Sequence, residues 1–536
     1  MKVGQISRRG SRGLFYAAVG AAFFIAAQAM IEPSVLNIYC SLLCAIGGAV
    51  TILYCLRPAT IQRFPMSSVA VLGFAVTTYA LPLAAQTFSW RPLIYNLLVP
   101  RELFEATLAF QAVILGAHIT YMNAPFLQAP SRWLARSVLR PIWVFRVPRP
   151  VEFWALGMLG LVATWVSRIM FGDAVEFGNV AGKFLQALVP FIVAPFFIPL
   201  RRYFLDRPDM RDPPLTMPLL AGYFGLVILT AVFFNARAIF AVCVFTVLLS
   251  VMMMTSMKRL QFSRRAKMMM LGAVILAIPL TSVAQDLATA MQAARELRGK
   301  ADSTEIAMET LRAFGDKPRL EAIRKDSAGQ TAESGFSGFS ETYLQSEFFQ
   351  RLTYTKYTDL TMAASLRLTP FQKDQIRADA EESILSILPT PLIKILGFSL
   401  DKSNRDFSTG DIYANLAFNQ ELGGYRTGSS ITNTIDVLDV FWPLAVFAIC
   451  IILFIQFDSY CLHIDGRVVI SALSFILLYE IVARGLVYES FRSLIDNGTR
   501  AYIQAIFVYT VLTLGTRIVL APFEGLMAHK RRPGYA

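Results

Sequence analysis

The sequence predicts an all-α polytopic membrane bundle of about twelve transmembrane helices, with one large, mostly helical extracytoplasmic loop late in the chain. Three observations carry this reading. Apolar runs of ~18–22 residues with few or no charges recur along the chain, each long enough to cross ~30 Å of hydrocarbon. Only 16% of the 536 residues are charged and 55% are hydrophobic, with a mean hydropathy of +0.51, less charge than a soluble domain of this size carries. The lysines and arginines gather in every other loop, the bias of cytoplasmic loops. The apolar runs are continuous and do not alternate, which argues against a β-barrel.

Twelve spans follow in order, at 13–30, 35–56, 67–86, 103–123, 151–171, 183–200, 216–234, 238–256, 268–285, 437–457, 468–486 and 501–521. The first follows Arg8, Arg9 and Arg12 without a small-residue cleavage site and reads as a retained span. With the N-terminus in the cytoplasm, the inside loops hold Arg57 and Arg63, then Arg132, Arg136, Arg140, Arg146 and Arg149, then Arg201, Arg202, Arg207 and Arg211. Lys258, Arg259, Arg264, Arg265, Lys267 and Arg467 follow on the same side, and the tail adds Lys530, Arg531 and Arg532. Both termini are therefore expected in the cytoplasm. The net charge of +13 reports topology, and no nucleic-acid partner is expected.

The chain divides into residues 1–285 with spans 1–9, a polar segment at 286–435, and residues 436–536 with spans 10–12 and the tail. The polar segment holds 17 Lys and Arg against 20 Asp and Glu, a net of −3, which leaves +16 for the rest. A loop this long needs structure of its own. Residues 286–299 read as an amphipathic extension of the ninth span. "DSTEIAMETLRAF" opens on the N-cap candidates Asp302 and Ser303. "TPFQKDQIRADAEESILSIL" has Thr369 at the N-cap and Pro370 at the first helical position. The Gly- and Ser-rich pieces 334–340 and 423–430 are loops. The six cysteines lie in or beside apolar runs and suggest neither a disulfide framework nor a metal site.

Arg237, in "FFNARAIF", stands in a tight turn between the seventh and eighth spans, at their outer end. It is either an interfacial anchor that reaches the headgroups or an anion clamp whose planar fork matches phosphate. Arg168 in "WVSRIMF" and Arg484 in "IVARGLVY" also lie near outer span ends, against the positive-inside trend. In "SEFFQRLTYTKYTDL", Arg351, Tyr354, Lys356 and Tyr357 alternate cation and aromatic, as a saccharide-binding face does. The alternative is an amphipathic helix with Phe348, Phe349 and Leu352 packed inward. In "LGGYRTGSSIT", the glycines allow close backbone approach, and Tyr425, Arg426, Ser429 and Ser430 are candidate donors to an oxyanion or sugar; the alternative is a plain re-entry linker.

There is no GxxxxGK[ST] for a nucleotide-driven pump. His118, His463 and His529 all fall toward the cytoplasm, so an outer base would be a carboxylate or tyrosine, with Glu341, Glu347, Asp406 and Asp411 as candidates. Charges within the spans are few, which gives little support to an ion-coupled path. Glu32 in "MIEPS" is a lone carboxylate where metal-dependent lipid-linked glycosyltransferases show an acidic pair; no cofactor and no metal are expected.

The layout resembles the Wzy-type oligosaccharide repeat-unit polymerases and the related O-antigen ligases. "FFNARAIFAV" is similar to their SRgA turn, and "GGYRTGSSITNTIDVLDVFW" resembles the segment GGS-x-IGE-x-Y-x-x-FG, with Ser429, Ser430 and Ile431 aligning best. The Glu of that segment is replaced around Thr434–Asp436, and FG becomes Phe441-Trp442. The absence of the ligases' loop histidine favours polymerase. The resemblance implies a GT-C-like fold in a bacterial inner membrane and metal-independent glycosyl transfer from a glycan on polyprenyl pyrophosphate. Arg237 would hold the pyrophosphate, with Arg426 and Arg351 as catalytic partners from the outer loop. Arg168, Tyr354, Lys356, Tyr425, Ser429 and Ser430 would bind substrate. Membrane lipids, a flippase and a chain-length regulator are the partners this implies. A flippase of lipid-linked saccharide and a non-catalytic scaffold of a polysaccharide synthesis complex stand as the alternatives.

Overall fold

The computed structural model describes residues 8–171, 180–204, 215–234, 236, 238–261, 263, 286–287, 289–291, 293–294, 303–323, 343–344, 353–388, 390–398, 400, 407–424, 426–464 and 467–529. They are overwhelmingly helical, and eight helical stretches are long and apolar enough to cross a membrane. These fall on the expected spans at 35–56, 67–86, 103–123, 151–171, 183–200, 216–234, 437–457 and 501–521. The first and eighth expected spans are helices with somewhat shorter apolar stretches, Phe15–Ile31 and Val242–Ser256. The ninth, 268–285, lies outside the described residues, as does half of its extension, 286–299.

The eleventh expected span is not one helix. Arg467–Ile470 is a strand (β2) paired antiparallel with Cys461–Ile464 (β1). Two short helices follow, α1 (Ala472–Ile476) and α2 (Leu478–Arg484). The β-branched run Val468-Val469-Ile470 favours extended backbone, and the Ser471 side chain accepts from Ser474 N–H and starts a new helix there. Hydropathy alone does not distinguish this from a continuous crossing.

Two other spans depart from regular α-helix. Residues Val189–Leu200 form a 3₁₀ helix containing Pro190, Pro195 and Pro199. Each proline removes an N–H that an α-helix would use, so the tighter coil takes over. The Tyr223 hydroxyl donates to the Ile192 carbonyl at 2.9 Å and lies 2.9 Å from that of Gly157. The helix Pro65–Ala75 passes through a π turn, Val76–Ala80, into Leu81–Phe88. Gly73 lets it meet α2, since a Cβ there would stand 2.3 Å from the Val482 carbonyl oxygen.

Polar ties join the helices, as expected where lipid offers no hydrophobic drive between them. Asp458 accepts from Ser67 N–H at 3.1 Å and Ser67 Oγ at 2.6 Å. His118 Nε2 lies 3.0 Å from that hydroxyl and His118 Nδ1 2.8 Å from the Tyr54 hydroxyl. Arg517 grips Glu152 with two nitrogens, at 2.6 and 3.2 Å. The buried Asp458 was not anticipated from the sequence.

In the polar segment, Ser303–Gly315 and Pro370–Leu385 are helices, the latter with a complete capping box between Thr369 and Gln372. The helix α3 (Thr355–Ser365) is buried along its whole length.

Candidate functional site

The helix α3 is buried because it plugs the turn ahead of Pro100–Asn123. Asp359 accepts from the Leu98 and Val99 backbone N–H groups, each at 2.9 Å. These sit at the start of a helix, where donors lack intrahelical acceptors. Lys356 Nζ lies 3.0 Å from Asp359 Oδ2 and also donates to the Asn96 carbonyl. Lys356 is 3% exposed and Asp359 0%. Lys356, expected to bind substrate, is thus buried, with Asp359 neutralising its charge inside the protein.

The segment 426–430 is likewise built into the structure. Arg426 reaches back to Asp411 Oδ1 at 3.2 Å and to the Glu421 carbonyl at 2.9 Å. Asp411 is itself the third residue of a capping box with Ser408. Arg426 thus clamps a loop, and Asp411 caps a helix instead of standing free as a base. Gly428 is required by packing: a Cβ there would fall 2.6 Å from the Glu489 carbonyl oxygen. Ser430 N–H donates to the Tyr488 carbonyl at 2.8 Å, and Tyr488 N–H donates back to Ser430 Oγ at 3.1 Å. Ser429 Oγ lies 3.0 Å from Thr358 Oγ1. Both serines, expected to bind substrate, are buried and hydrogen-bonded within the protein. Arg237, Arg351 and Tyr425 lie outside the described residues, as do Glu341, Glu347 and Asp406.

The pairing of 428–430 with 488–490 leads to a second cluster. Arg484 ends α2, with Glu480 one turn back at 3.2 Å. Its guanidinium lies 4.9 Å from the centre of the Tyr488 ring, and Tyr354 meets Tyr488 edge-on at 6.3 Å. Tyr354, expected as a sugar platform, thereby backs the ring on which Arg484 rests. The Arg484 side chain is 39% exposed, and its Nε–H meets no acceptor among the described residues. Glu489 follows in the connecting loop. Burial pushes its carboxyl above the usual carboxylate range, against the pull of Arg484 and Arg492.

Arg484 faces a cavity of about 420 Å³. One wall is the helix Val180–Leu188, which brings Lys183 and Gln186. The other is a π turn, Asn497–Ala501, which opens the last helix, Tyr502–His529, and brings Asn497 and Arg500. Asn497 Nδ2 donates to the Arg484 carbonyl at 3.0 Å, and Gln456 Nε2 donates to that of Gly498. π turns of this kind cluster at functional sites. Phe191, Phe457 and Leu477 supply apolar lining. Lys183, Arg484 and Arg500 outnumber the lining carboxylates Glu480 and Asp496.

Arg168 lies in the last turn of Pro150–Phe171, half-buried and engaged in an interaction. One turn before it, Trp165 stacks on Phe233 at 4.9 Å and bonds Thr230 at 3.0 Å, so its helix end meets the end of Thr216–Phe233. On the other side of the Arg237 turn, Val242 and Phe245 pack against Tyr479 and Ala483 of α2. Among the described residues, no three His, Cys, Asp or Glu side chains gather as a metal site. Lys183, Arg500 and Glu489 were not singled out from the sequence. The one signal was position, since each of the two cations stands at a span end that the basic-loop pattern assigns to the outside.

Comparisons with protein-family models, curated proteins and solved structures return no match for this chain.

Proposed function

We propose that the chain is a membrane glycosyltransferase that joins oligosaccharide repeat units carried on polyprenyl pyrophosphate, with the Arg484 cavity as the seat of the diphosphate. The observation that carries this reading is the convergence of Lys183, Arg484 and Arg500 on one cavity between helices. The basic-loop pattern assigns the ends of spans 183–200 and 501–521 that carry Lys183 and Arg500 to the outer side. The acceptor hydroxyl attacks the anomeric carbon, the bond from that carbon to the diphosphate oxygen breaks, and the oxygen keeps the electron pair. Fixed cations stabilise the charge that develops there. The hydroxyl proton passes to a carboxylate, for which the candidates are Glu480 and Asp496, which line the cavity, and Glu489, which follows the Tyr488 beneath Arg484 and has a raised proton affinity. Tyr354 and Tyr488 support Arg484 from behind. The expected contribution of Arg237 belongs to this proposal too, since the helix that follows it packs on α2.

A flippase reading draws on the buried Asp458–Ser67–His118–Tyr54 chain, a polar path inside the bundle. One experiment separates the two. Arg484→Ala is expressed in cells lacking the native copy, and glycan length on the lipid carrier and its sidedness are measured. A polymerase stalls at single repeat units already outside. Units trapped inside would favour transport, and unchanged long chains would remove the catalytic role.

A further inference from the structure

A second group of cations surrounds the hairpin strand β1, and these have no carboxylate among them. Arg63 and Arg132 both donate to Gln128 Oε1, at 3.4 and 2.6 Å, so two guanidinium groups share one neutral acceptor. His463, on the hairpin strand β1, lies with Nε2 3.2 Å from the Arg63 carbonyl, and its own carbonyl accepts from Arg136 at 3.4 Å. Three separate elements thus bring four nitrogen-bearing side chains together. Among the described residues none of Arg63, Arg132 and Arg136 has an ion-pair partner, and all three are exposed. Burial, and then Arg132, Arg136 and Arg63, push the His463 imidazole below its ordinary value, while its bond to Arg63 opposes this. Like charges held this close ask for an anion between them.

We propose that Arg63, Arg132 and Arg136, with His463 beside them, bind the phosphate of an anionic phospholipid headgroup. Guanidinium forks match phosphate oxygens two at a time. The source of that phosphate is lipid, because the same surface leaves large apolar side chains uncovered. Phe126 is 73% exposed, Trp133 59% and Trp143 50%. Tryptophan collects at the headgroup level of a membrane. A soluble phosphate would have no use for such a flank.

The test uses the full chain in nanodiscs of phosphatidylglycerol and phosphatidylcholine, with lipid retention counted after detergent release by native mass spectrometry. R63Q/R132Q removes two cluster charges; R57Q/R140Q removes two from basic loops on the same side. The cluster variant is expected to retain about tenfold less phosphatidylglycerol, with phosphatidylcholine unchanged and the control pair within about twofold of the parent. Equal losses in the two doubles would reduce the cluster to ordinary loop charge and overturn the proposal. So would displacement of the lipid by millimolar inorganic phosphate. Should the double variant fail to elute as a single species, R136Q carries the same comparison against R140Q alone.

Discussion

The buried pair Lys356–Asp359 makes an unequal prediction. If Lys356→Met is made, Asp359 keeps its bonds to Leu98 and Val99 N–H, so its charge stays solvated by backbone donors. The loss is then the pair itself and the bond to the Asn96 carbonyl, about 1–3 kcal/mol. If Asp359→Ala is made, Lys356 is left charged and unpaired at 3% exposure, a situation that costs about 3–5 kcal/mol. The two N–H groups at the start of Pro100–Asn123 are orphaned as well, adding to that cost. The double variant removes the stranded ammonium, so it should be no less stable than Asp359→Ala, well short of additivity. The assay is the fraction of protein that still elutes as a single species after a temperature ramp in detergent. The predicted order is parent, Lys356→Met, then Asp359→Ala with the double variant beside it. Two results would refute the reasoning: Lys356→Met as damaging as Asp359→Ala, or full stability in Lys356→Met with loss of glycan synthesis. The second would restore Lys356 as a substrate ligand.

Two further predictions concern the junction beside the cavity. Gly428→Ala drives a methyl to 2.6 Å from the Glu489 carbonyl oxygen, with backbone rather than a flexible side chain in the way. It should cost about 1–3 kcal/mol of stability and lower activity further by shifting Glu489, read by the same thermal assay and by glycan length. For Glu489, burial raises the folded-state value, so the folded chain holds that proton more tightly than the unfolded chain does. The stability this provides is complete below the ordinary carboxylate range, ~4.3, and disappears as pH rises through the raised value. Glu489→Gln should therefore flatten the decline in melting temperature on going from acid to neutral pH; parallel curves would contradict it.

Spans such as Val35–Cys55 and Trp442–Ser459 were legible because hydropathy is local and a crossing helix needs little else. The start of Pro370–Leu385 was legible because an N-cap threonine ahead of a proline is written within two residues. The 468–486 region was not, since apolar content alone does not separate a strand and two short helices from one crossing. The burial of Lys356 was not legible: Asp359 lies three residues on, but the Asn96 carbonyl and the Leu98 and Val99 N–H groups that draw the pair inside are about 260 residues away in the chain. The burial of the serines of "TGSSIT" was hidden for the same reason, as Tyr488 lies 58 residues downstream of Ser430. Arg484 was visible as a cation in an unexpected place, whereas its companions Lys183 and Arg500 gained meaning only when three helix ends closed on one space.

The proline-ruled stretch Val189–Leu200 sets a length as well as a shape. A 3₁₀ coil rises ~2.0 Å per residue against ~1.5 Å in an α-helix, so its twelve residues reach about 24 Å where ordinary helix would reach about 18 Å. That stretch is a gauge rod standing under Lys183. It lets a short run of chain hold one ammonium at the height of two guanidinium groups, and its three rings keep it from recoiling.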